Sequence, residues 1–422
     1  MSRAAQVEAE SAAAVILERC ATLSQCTERP GEICRTYLSP TMEEAHAHLR
    51  TWMEQAGLAV QLDRAGNLVA STDAGSSTPR LLIGSHLDTV PNAGAYDGVL
   101  GVLLAVALAE AQCGQTRNFA LDVVGFSEEE GVRFGAPFLG SKSMMGALEA
   151  DLLARRDKAG LTLQQVLDQF AAAHPEAIAP RLASGARGYL EFHIEQGPAL
   201  EAMSLPLGVV TAIAGQSRGM MTFTGKAGHA GTTPMARRQD ALAAAAEWIG
   251  RVENLARATE GLVATVGQIT LEPGAVNVIP AQACCSLDLR HAEDARRDWA
   301  LSKTLSAAEE IAAKRGVRFN WKLTHAQAAV PMDVQMINMV ERAIERGGYP
   351  VHRMVSGAGH DAMVLAPHLP SGMIFLRSPR GLSHHPEETV LPEDVAAAIV
   401  AGLNFLDEFE RAVCTGEITA SA

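Results

Sequence analysis

Six side chains of types that bind divalent cations stand at or near the ends of apolar segments in this sequence. They are His86, Asp97, Glu129, Glu130, His193 and His384. Imidazole nitrogens and carboxylate oxygens suit ions such as Zn²⁺ and Mn²⁺, and a carboxylate between two ions can bridge them. Each residue alone is more simply a structural histidine or part of a solvated loop. Their recurrence at strand ends favours a site for two cations.

The first ligands come from the stretch 81–101, LLIGSHLDTVPNAGAYDGVLG. Its apolar start predicts a buried strand that ends at Gly84 and Ser85. His86 then lies at the carboxyl end of the strand, where ligands collect in open α/β sheets. Asp88 is a candidate to orient the His86 ring from outside the ligand set, and Asp97 lies in the following loop.

A second strand, 119–126 (FALDVVGF), runs directly into three successive glutamates, Glu128 to Glu130. Their carboxylates repel one another unless a cation or a proton offsets the charge. A solvated acidic loop is the alternative explanation. The nearby His86 and Asp97 favour a metal site.

The whole chain limits the classes of function. A net charge of −13 argues against non-specific binding to nucleic acid or to an anionic membrane. The seven cysteines are scattered without a C-x-x-C pair, which indicates reduced thiols. We find no signal peptide and no run of about 18 apolar residues, so we expect a cytoplasmic protein without a membrane span.

The pattern of strands and helices predicts two domains. Strands alternate with helices in segments 1–213 and 331–422, which favours a three-layer α/β domain. Residues 214–330 show a β-α-β-β-α-β order, typical of an inserted ferredoxin-like α+β domain, in which 263–269 is expected to form one strand.

Eight motifs resemble those of the M20 family of metal-dependent amidohydrolases and peptidases. They are GSHLDT with YDG, SEEEGVRF, HIEQGP, GHAGTTPM, PGAVNVIP, DLRH, SGAGHDA and SHHPEE. The resemblance covers nearly the whole chain and is closest to the hydantoinase/carbamoylase branch, which contains allantoate amidohydrolases and N-carbamoyl-L-amino-acid hydrolases. It implies a catalytic α/β domain with a dinuclear metal site and an inserted lid and dimerisation domain.

The resemblance also implies roles for individual residues. The metal ligands would be His86, Asp97 (bridging), Glu130, His193 and His384. Glu129 would be the general base, and His229 would stabilise the oxyanion. The substrate would contact Gln196, His229, Asn277, Arg290 and the backbone near Gly359. Two assignments stay open. The ligand could be His385 and not the adjacent His384. The run of glutamates also allows the base and the ligand to be exchanged, although the position of Gly131 favours Glu129 as the base.

By this resemblance the protein is a hydrolase that releases ammonia from the terminal ureido group of a small carboxylate substrate. Allantoate is favoured over N-carbamoyl amino acids or 3-ureidopropionate by overall likeness of motifs. The implied cofactors are two divalent ions per subunit, Zn or Mn first and Co or Ni as alternatives, and the implied assembly is a homodimer through the inserted domain. A peptidase or deacylase of the same fold and a non-catalytic binding protein are the competing classes.

Overall fold

The computed structural model describes residues 3–72 and 78–418 and divides the chain into two compact units. The first unit contains residues 1–211 and 332–422, and the second contains residues 212–331. The second unit is therefore an insertion in the sequence of the first.

Helices and strands alternate along most of the chain. The α-helices are α1 (Arg3–Leu23), α2 (Pro40–Gln55), α3 (Val99–Gln112), α4 (Leu139–Met144), α5 (Ala150–Leu153), α6 (Leu163–Ala173), α7 (Ala199–Ala202), α8 (Ala241–Ala258), α9 (Asp294–Arg315), α10 (Val334–Arg346), α11 (Ala362–Leu365) and α12 (Pro392–Thr415). The strands are β1 (Ala59–Leu62), β2 (Leu68–Ser71), β3 (Arg80–His86), β4 (Ala120–Phe126), β5 (Ala186–Ile194), β6 (Leu207–Ile213), β7 (Gly215–Thr224), β8 (Gly228–His229), β9 (Val263–Thr265), β10 (Ile269–Glu272), β11 (Val278–Ile279), β12 (Gln282–His291), β13 (Arg318–Gln327), β14 (Val330–Pro331), β15 (Arg353–Ser356) and β16 (Ser371–Leu376).

The main sheet of the first unit contains the strand order β1-β2-β4-β3-β5-β16-β6. Its centre is parallel: β3 pairs in parallel with β4 and β5, and β16 pairs in parallel with β5. Every residue of β3, β4 and β16 is buried, as expected for parallel strands covered on both faces. This parallel centre brings the carboxyl ends of four strands to one edge of the sheet.

Helix α3 connects the loop that carries Asp97 to the core. It is buried along nearly its whole length, from Val99 to Ala109. Gly101 lies so close to β5 that a Cβ atom there would be 2.0 Å from the Phe192 carbonyl oxygen. The helix start is thereby fixed against the sheet, and Asp97 is separated from it only by Gly98.

In the second unit the four longest strands form an antiparallel sheet of order β10-β12-β7-β13, with β9 also paired to β12. Helices α8 and α9 contribute Trp248, Ala300 and Ile311 to its core. The element order differs from the expected β-α-β-β-α-β, because the four strands β9, β10, β11 and β12 lie between α8 and α9. The expected single strand 263–269 is wrong in detail, because it is divided into β9 and β10. Gly267 and Gln268 lie between them and donate their N–H groups to the Ser286 hydroxyl (3.2 and 3.0 Å).

No helix in residues 3–72 and 78–418 has the length and apolar character of a membrane span.

His46 on α2 provides a test of the fold by pH. Its imidazole is buried and lies near Arg35, and burial first and then that charge lower the pKa to about 3. The unfolded chain binds a proton at about pH 6.5 and the folded chain does not. Folding stability is therefore lost progressively as the pH falls from 6.5 toward 3, by up to about 1.4 kcal/mol per unit.

We expect His46→Leu to reduce this loss. Between pH 6.5 and 4.5, the Tm of the variant should rise relative to that of the wild type by about 2 °C for each unit by which the pH is lowered. His48→Leu is the matched control, because His48 is exposed on the same helix. Equal pH slopes for all three proteins in scanning calorimetry would contradict the prediction.

Candidate active site

The candidate ligands follow the ends of the parallel strands. His86 is the last residue of β3, His193 is next to the last of β5, and Glu129 and Glu130 follow β4. Glu128 and Gly131 flank this pair with positive φ angles of 53° and 70°, so the acidic segment turns sharply as it leaves the strand. Four candidate site residues from three distant segments therefore meet at one edge of the sheet.

The first cluster consists of two imidazoles and a carboxylate. The Nε2 atoms of His86 and His193 are 3.4 Å apart, and His193 Nε2 is 3.3 Å from Asp97 Oδ1. One ligand atom from each of the three residues lies within 4.8 Å of the others. All three side chains are buried.

The second cluster shares Asp97 with the first. His384 Nε2 is 3.0 Å from Asp97 Oδ2 and 3.1 Å from Glu130 Oε1. Asp97 thus directs one carboxylate oxygen toward each cluster, which is the arrangement of a carboxylate between two cations. A third overlapping group consists of His86, Glu129 and Glu130.

Backbone carbonyls orient both imidazoles of the first cluster. His86 Nδ1 lies 3.0 Å from the Asp88 carbonyl oxygen, and His193 Nδ1 lies 2.9 Å from that of Ile194. A carbonyl only accepts, so each Nδ1 donates its proton and each Nε2 presents a lone pair to the cluster.

The carboxylate of Asp88 has a different partner from the one expected. It accepts hydrogen bonds from the backbone N–H groups of Glu129 (3.0 Å) and Glu130 (3.1 Å), while its Oδ1 is 3.8 Å from His86 Nδ1. Asp88 therefore orients the His86 ring through its backbone and positions the acidic segment through its side chain.

The electrostatics of the site favour a cation. Burial and then the charge of Glu130 raise the pKa of Glu129 well above its usual range. Burial opposes the charge of His86, but Asp88, Asp97 and other carboxylates outweigh it and raise the pKa to about 9. Hydrogen bonds to Asp97 and Glu130 raise the pKa of His384 to about 10. The carboxylates thus attract positive charge, and the donor set of imidazoles and carboxylates without cysteine fits divalent cations.

His384 and His385 are placed differently. His384 has a φ of 55° and directs its ring to Asp97 and Glu130. His385 is exposed, and its Nδ1 accepts the backbone N–H of Glu387 at 3.1 Å. The geometry favours His384 as the ligand.

Two of the substrate-binding candidates lie beside the clusters. Gln196 donates its side-chain amide to both oxygens of Asp97 (3.1 and 3.3 Å) and to the Ser383 hydroxyl (3.1 Å). Gly359 packs against Phe138, where a Cβ atom would be 2.7 Å from the ring. A side chain at 359 would therefore require the Phe138 ring to move.

The other candidates belong to the second unit. His229 is exposed on β8, which pairs with β11, and Ala230 N–H donates to the Asn277 carbonyl oxygen at 2.9 Å. His229 and Asn277 thus share one local structure. Arg290 forms an ion pair with Asp288 (2.8 Å), to which Arg218 also donates (2.7 Å).

Three further buried polar residues lie around the clusters, and sequence reasoning missed two of them, Glu191 and Glu388. Glu191 on β5 accepts hydrogen bonds from Ser85 Oγ (3.2 Å) and Ala362 N–H (2.9 Å). His360 packs on His193 with ring centroids 4.4 Å apart. Glu388 contacts the Asp97 loop. An acid inside the apolar strand 188–194 was a usable signal for Glu191, whereas nothing in the sequence distinguishes Glu388 from Glu387.

A family model described as Peptidase family M20/M25/M40 matches residues 82–408, well over half of the chain. The chain belongs to this M20 family. The resemblance seen in the motifs is thereby confirmed.

Relatives of this M20 chain carry names from one branch of the family. It is 37% identical to "Probable allantoate deiminase" of Oryza sativa subsp. japonica, over 92% of this chain and 86% of that protein. It is 40% identical to "N-carbamoyl-L-amino acid amidohydrolase" of Geobacillus stearothermophilus, over 86% of this chain and 90% of that protein. Both extend over nearly the full length of the M20 chain.

Solved structures agree with the fold. A hydantoinase/carbamoylase family amidase from Burkholderia ambifaria superposes with a TM-score of 0.87 at 33% identity, covering 97% of this chain and 98% of that one. The predicted α/β fold is confirmed by this match.

Proposed function

We propose that this M20 protein is an amidohydrolase that cleaves the terminal C–N bond of a ureido group on a small carboxylate substrate and releases ammonia and carbon dioxide. One observation carries the proposal: Asp97 directs its two oxygens to two ligand clusters, beside which Glu129 is buried. The names of the relatives support a ureido compound as the substrate.

Two divalent ions would be bound at these clusters. His86 and His193 would hold one ion and Glu130 and His384 the other, with Asp97 between them. Zn or Mn suits these ligands best, and Co or Ni also fits. When bound, such ions supply a Lewis acid for the ureido carbonyl and lower the pKa of a water molecule.

Glu129 is the proposed general base. The carboxylate of Asp88 accepts the backbone N–H groups of Glu129 and Glu130 and thereby fixes the segment that carries the base. It takes a proton from the attacking water and returns it to the departing nitrogen, which leaves as ammonia. The carbamate that remains loses carbon dioxide.

Residues of the second unit are proposed to bind the substrate. The guanidinium of Arg290 and the amide of Asn277 suit a carboxylate, together with Gln196 and the backbone near Gly359. His229 would donate to the oxyanion that develops on the ureido carbonyl. These residues act either within one subunit or across a dimer.

Between the two substrate classes we favour allantoate on the overall likeness of the motifs, with N-carbamoyl-L-amino acids as the alternative. Relatives of both kinds match most of the chain. Both offer a ureido group and a carboxylate. No described side chain distinguishes them by its chemistry.

A substrate panel tests the proposal. Metal-free protein is reloaded with Mn²⁺ or Zn²⁺ and assayed for ammonia with allantoate, N-carbamoyl-L-amino acids, 3-ureidopropionate and dipeptides. We expect ammonia from at least one ureido compound and none without metal. Dipeptide cleavage with no reaction of any ureido compound would overturn the function. Activity on allantoate alone would decide the substrate.

We also propose a homodimer formed through the second unit. Within the described residues, strand β13 is the edge of its sheet and pairs only with β7. Beside it, α9 and β13 form a groove of about 430 Å³ whose apolar lining residues are Leu301, Leu305, Phe319 and Trp321 and whose polar ones are Asp298, Ser302, Ser306 and Glu309. Leu323 of the strand is 49% exposed. A long edge strand with exposed apolar side chains suits pairing with a second copy.

Light scattering of purified protein tests this assembly. We expect a dimer for the wild type and at least a tenfold higher dissociation constant for Leu323→Glu, because the charge would enter the interface. Val334→Glu is the matched control, since Val334 is 68% exposed on α10 of the first unit. A monomeric wild type, or a dimer unaffected by Leu323→Glu, would contradict the proposal.

The cysteines support a reducing compartment, and we propose the cytoplasm. All seven are free thiols, and Cys20, Cys26 and Cys34 are buried.

A further inference from the structure

Glu388 connects two loops that are remote in sequence. It is buried, and its Oε1 accepts the backbone N–H groups of Tyr96 (2.9 Å) and Asp97 (3.0 Å). Its Oε2 accepts the Ser383 hydroxyl at 3.2 Å. One carboxylate thus holds the loop that carries Asp97 and the loop that carries His384.

The contact is close along the whole side chain. A Cβ atom at Gly94 would lie 2.3 Å from both Cβ and Oε1 of Glu388. The Asp97 loop therefore approaches Glu388 at a position where only glycine fits. The Glu388 side chain therefore packs closely against the backbone of this loop.

The same contacts reach the oxygens of Asp97. The Ser383 hydroxyl lies 3.4 Å from Asp97 Oδ2, and Gln196, which donates to Ser383, also donates to Asp97. Glu388 fixes the backbone of Asp97 from one side, while Ser383 and Gln196 contact its carboxylate. The direction of the two carboxylate oxygens depends on this network.

We infer that Glu388 is a positioning residue that holds the Asp97 carboxylate between the two cation sites and ties it to the His384 loop. The inference rests on the proposed dinuclear site. Glu388 is not itself a ligand in this arrangement, because both of its oxygens already accept hydrogen bonds and it is absent from the groups of ligand atoms that lie within 4.8 Å of one another. Its effect is therefore expected on the affinity of the bridged ions.

Metal binding by the whole protein tests the inference. Metal-free wild type and variants are titrated with Zn²⁺ in competition with a chromophoric chelator, and bound metal is counted by elemental analysis. We expect Glu388→Ala to weaken at least one of two sites by 10- to 100-fold, the range found when a residue that orients a metal ligand is removed. Glu388→Gln should stay within about threefold of the wild type, because its amide oxygen can keep both backbone hydrogen bonds.

Glu387→Ala is the matched control. Glu387 is the adjacent glutamate, but it is exposed and pairs with Arg380 at 2.9 Å. We expect wild-type affinity for this variant. Equal weakening in all three variants would overturn the inference, since it would reflect lost charge and not lost positioning. Unchanged affinity in Glu388→Ala would overturn it directly.

Folding of Glu388→Ala is checked by circular dichroism. If that variant does not fold, Glu388→Asp decides in the same titration, because its shorter side chain withdraws the carboxylate from the backbone N–H groups of Tyr96 and Asp97 and keeps the charge. Weaker binding then supports the inference and unchanged binding overturns it. A wild type that binds no metal refutes the proposed dinuclear site, whereas a wild type with two ions and an equally tight Glu388→Ala refutes only the role of Glu388.

Discussion

Replacing Glu129 by glutamine is expected to lower kcat by about 10² to 10⁴-fold while two metal ions stay bound. Glutamine has nearly the shape of glutamate but cannot take a proton from water. The backbone N–H of Glu129 keeps its hydrogen bond to Asp88 (3.0 Å), so the acidic segment retains its position. Ammonia release from the best ureido substrate and elemental analysis of the same sample measure the two quantities.

Glu130→Gln is the informative comparison. Its carboxylate lies 3.1 Å from His384 Nε2 and belongs to the second cluster, so this variant should lose one bound ion. If Glu129→Gln lost metal and Glu130→Gln retained it, Glu129 would be the ligand and Glu130 the base. Activity of Glu129→Gln within tenfold of the wild type would exclude Glu129 as the base.

The candidate ligands could be found from the sequence because their positions follow from local patterns. An apolar run of strand length predicts a buried strand, and a polar residue directly after it must lie at the sheet edge. This reasoning holds for His86 at the end of β3 and for Glu129 and Glu130 after β4. Local patterns do not show which strands are neighbours in the sheet. The grouping of the residues into one site came from the family motifs.

Interactions between remote loops had no such pattern. Glu387 and Glu388 are adjacent and identical in type, yet one is exposed and the other accepts two backbone N–H groups of the loop at 96–97. The difference depends on packing against Gly94, some 290 residues earlier. Likewise, the side chain of Asp88 binds the Glu129 and Glu130 backbone, because the neighbouring strand β4 delivers those N–H groups to it.

Arg290 shows a further limit of single-residue reasoning. A lone arginine at a strand end suggests a free guanidinium for a substrate carboxylate. In the second unit it forms an ion pair with Asp288 two residues earlier, on the same face of β12, and Arg218 of β7 shares that aspartate. If Arg290 binds the substrate, it would do so as part of a preformed group of Arg218, Asp288 and Arg290, which has a net positive charge.

The two adjacent histidines in SHHPEE provide the second large effect. We expect His384→Ala to lose one of two bound ions and to lower kcat/KM by about 10³-fold, which corresponds to about 4 kcal/mol of transition-state stabilisation. The ring of His384 is the only described imidazole whose Nε2 lies within 3.1 Å of both Asp97 and Glu130. Its removal leaves the buried carboxylate of Asp97 and the partly buried carboxylate of Glu130 to hold that ion alone.

His385→Ala is the matched control and should stay within about twofold of the wild type in both metal content and kcat/KM. Its exposed ring accepts only the N–H of Glu387. Because the two residues share one loop, disturbance of the loop would affect both variants, whereas loss of a ligand affects only one. If His385→Ala lost metal and His384→Ala kept full occupancy, His385 would be the ligand. Equal, small effects in both variants would contradict a second cation in the proposed mechanism.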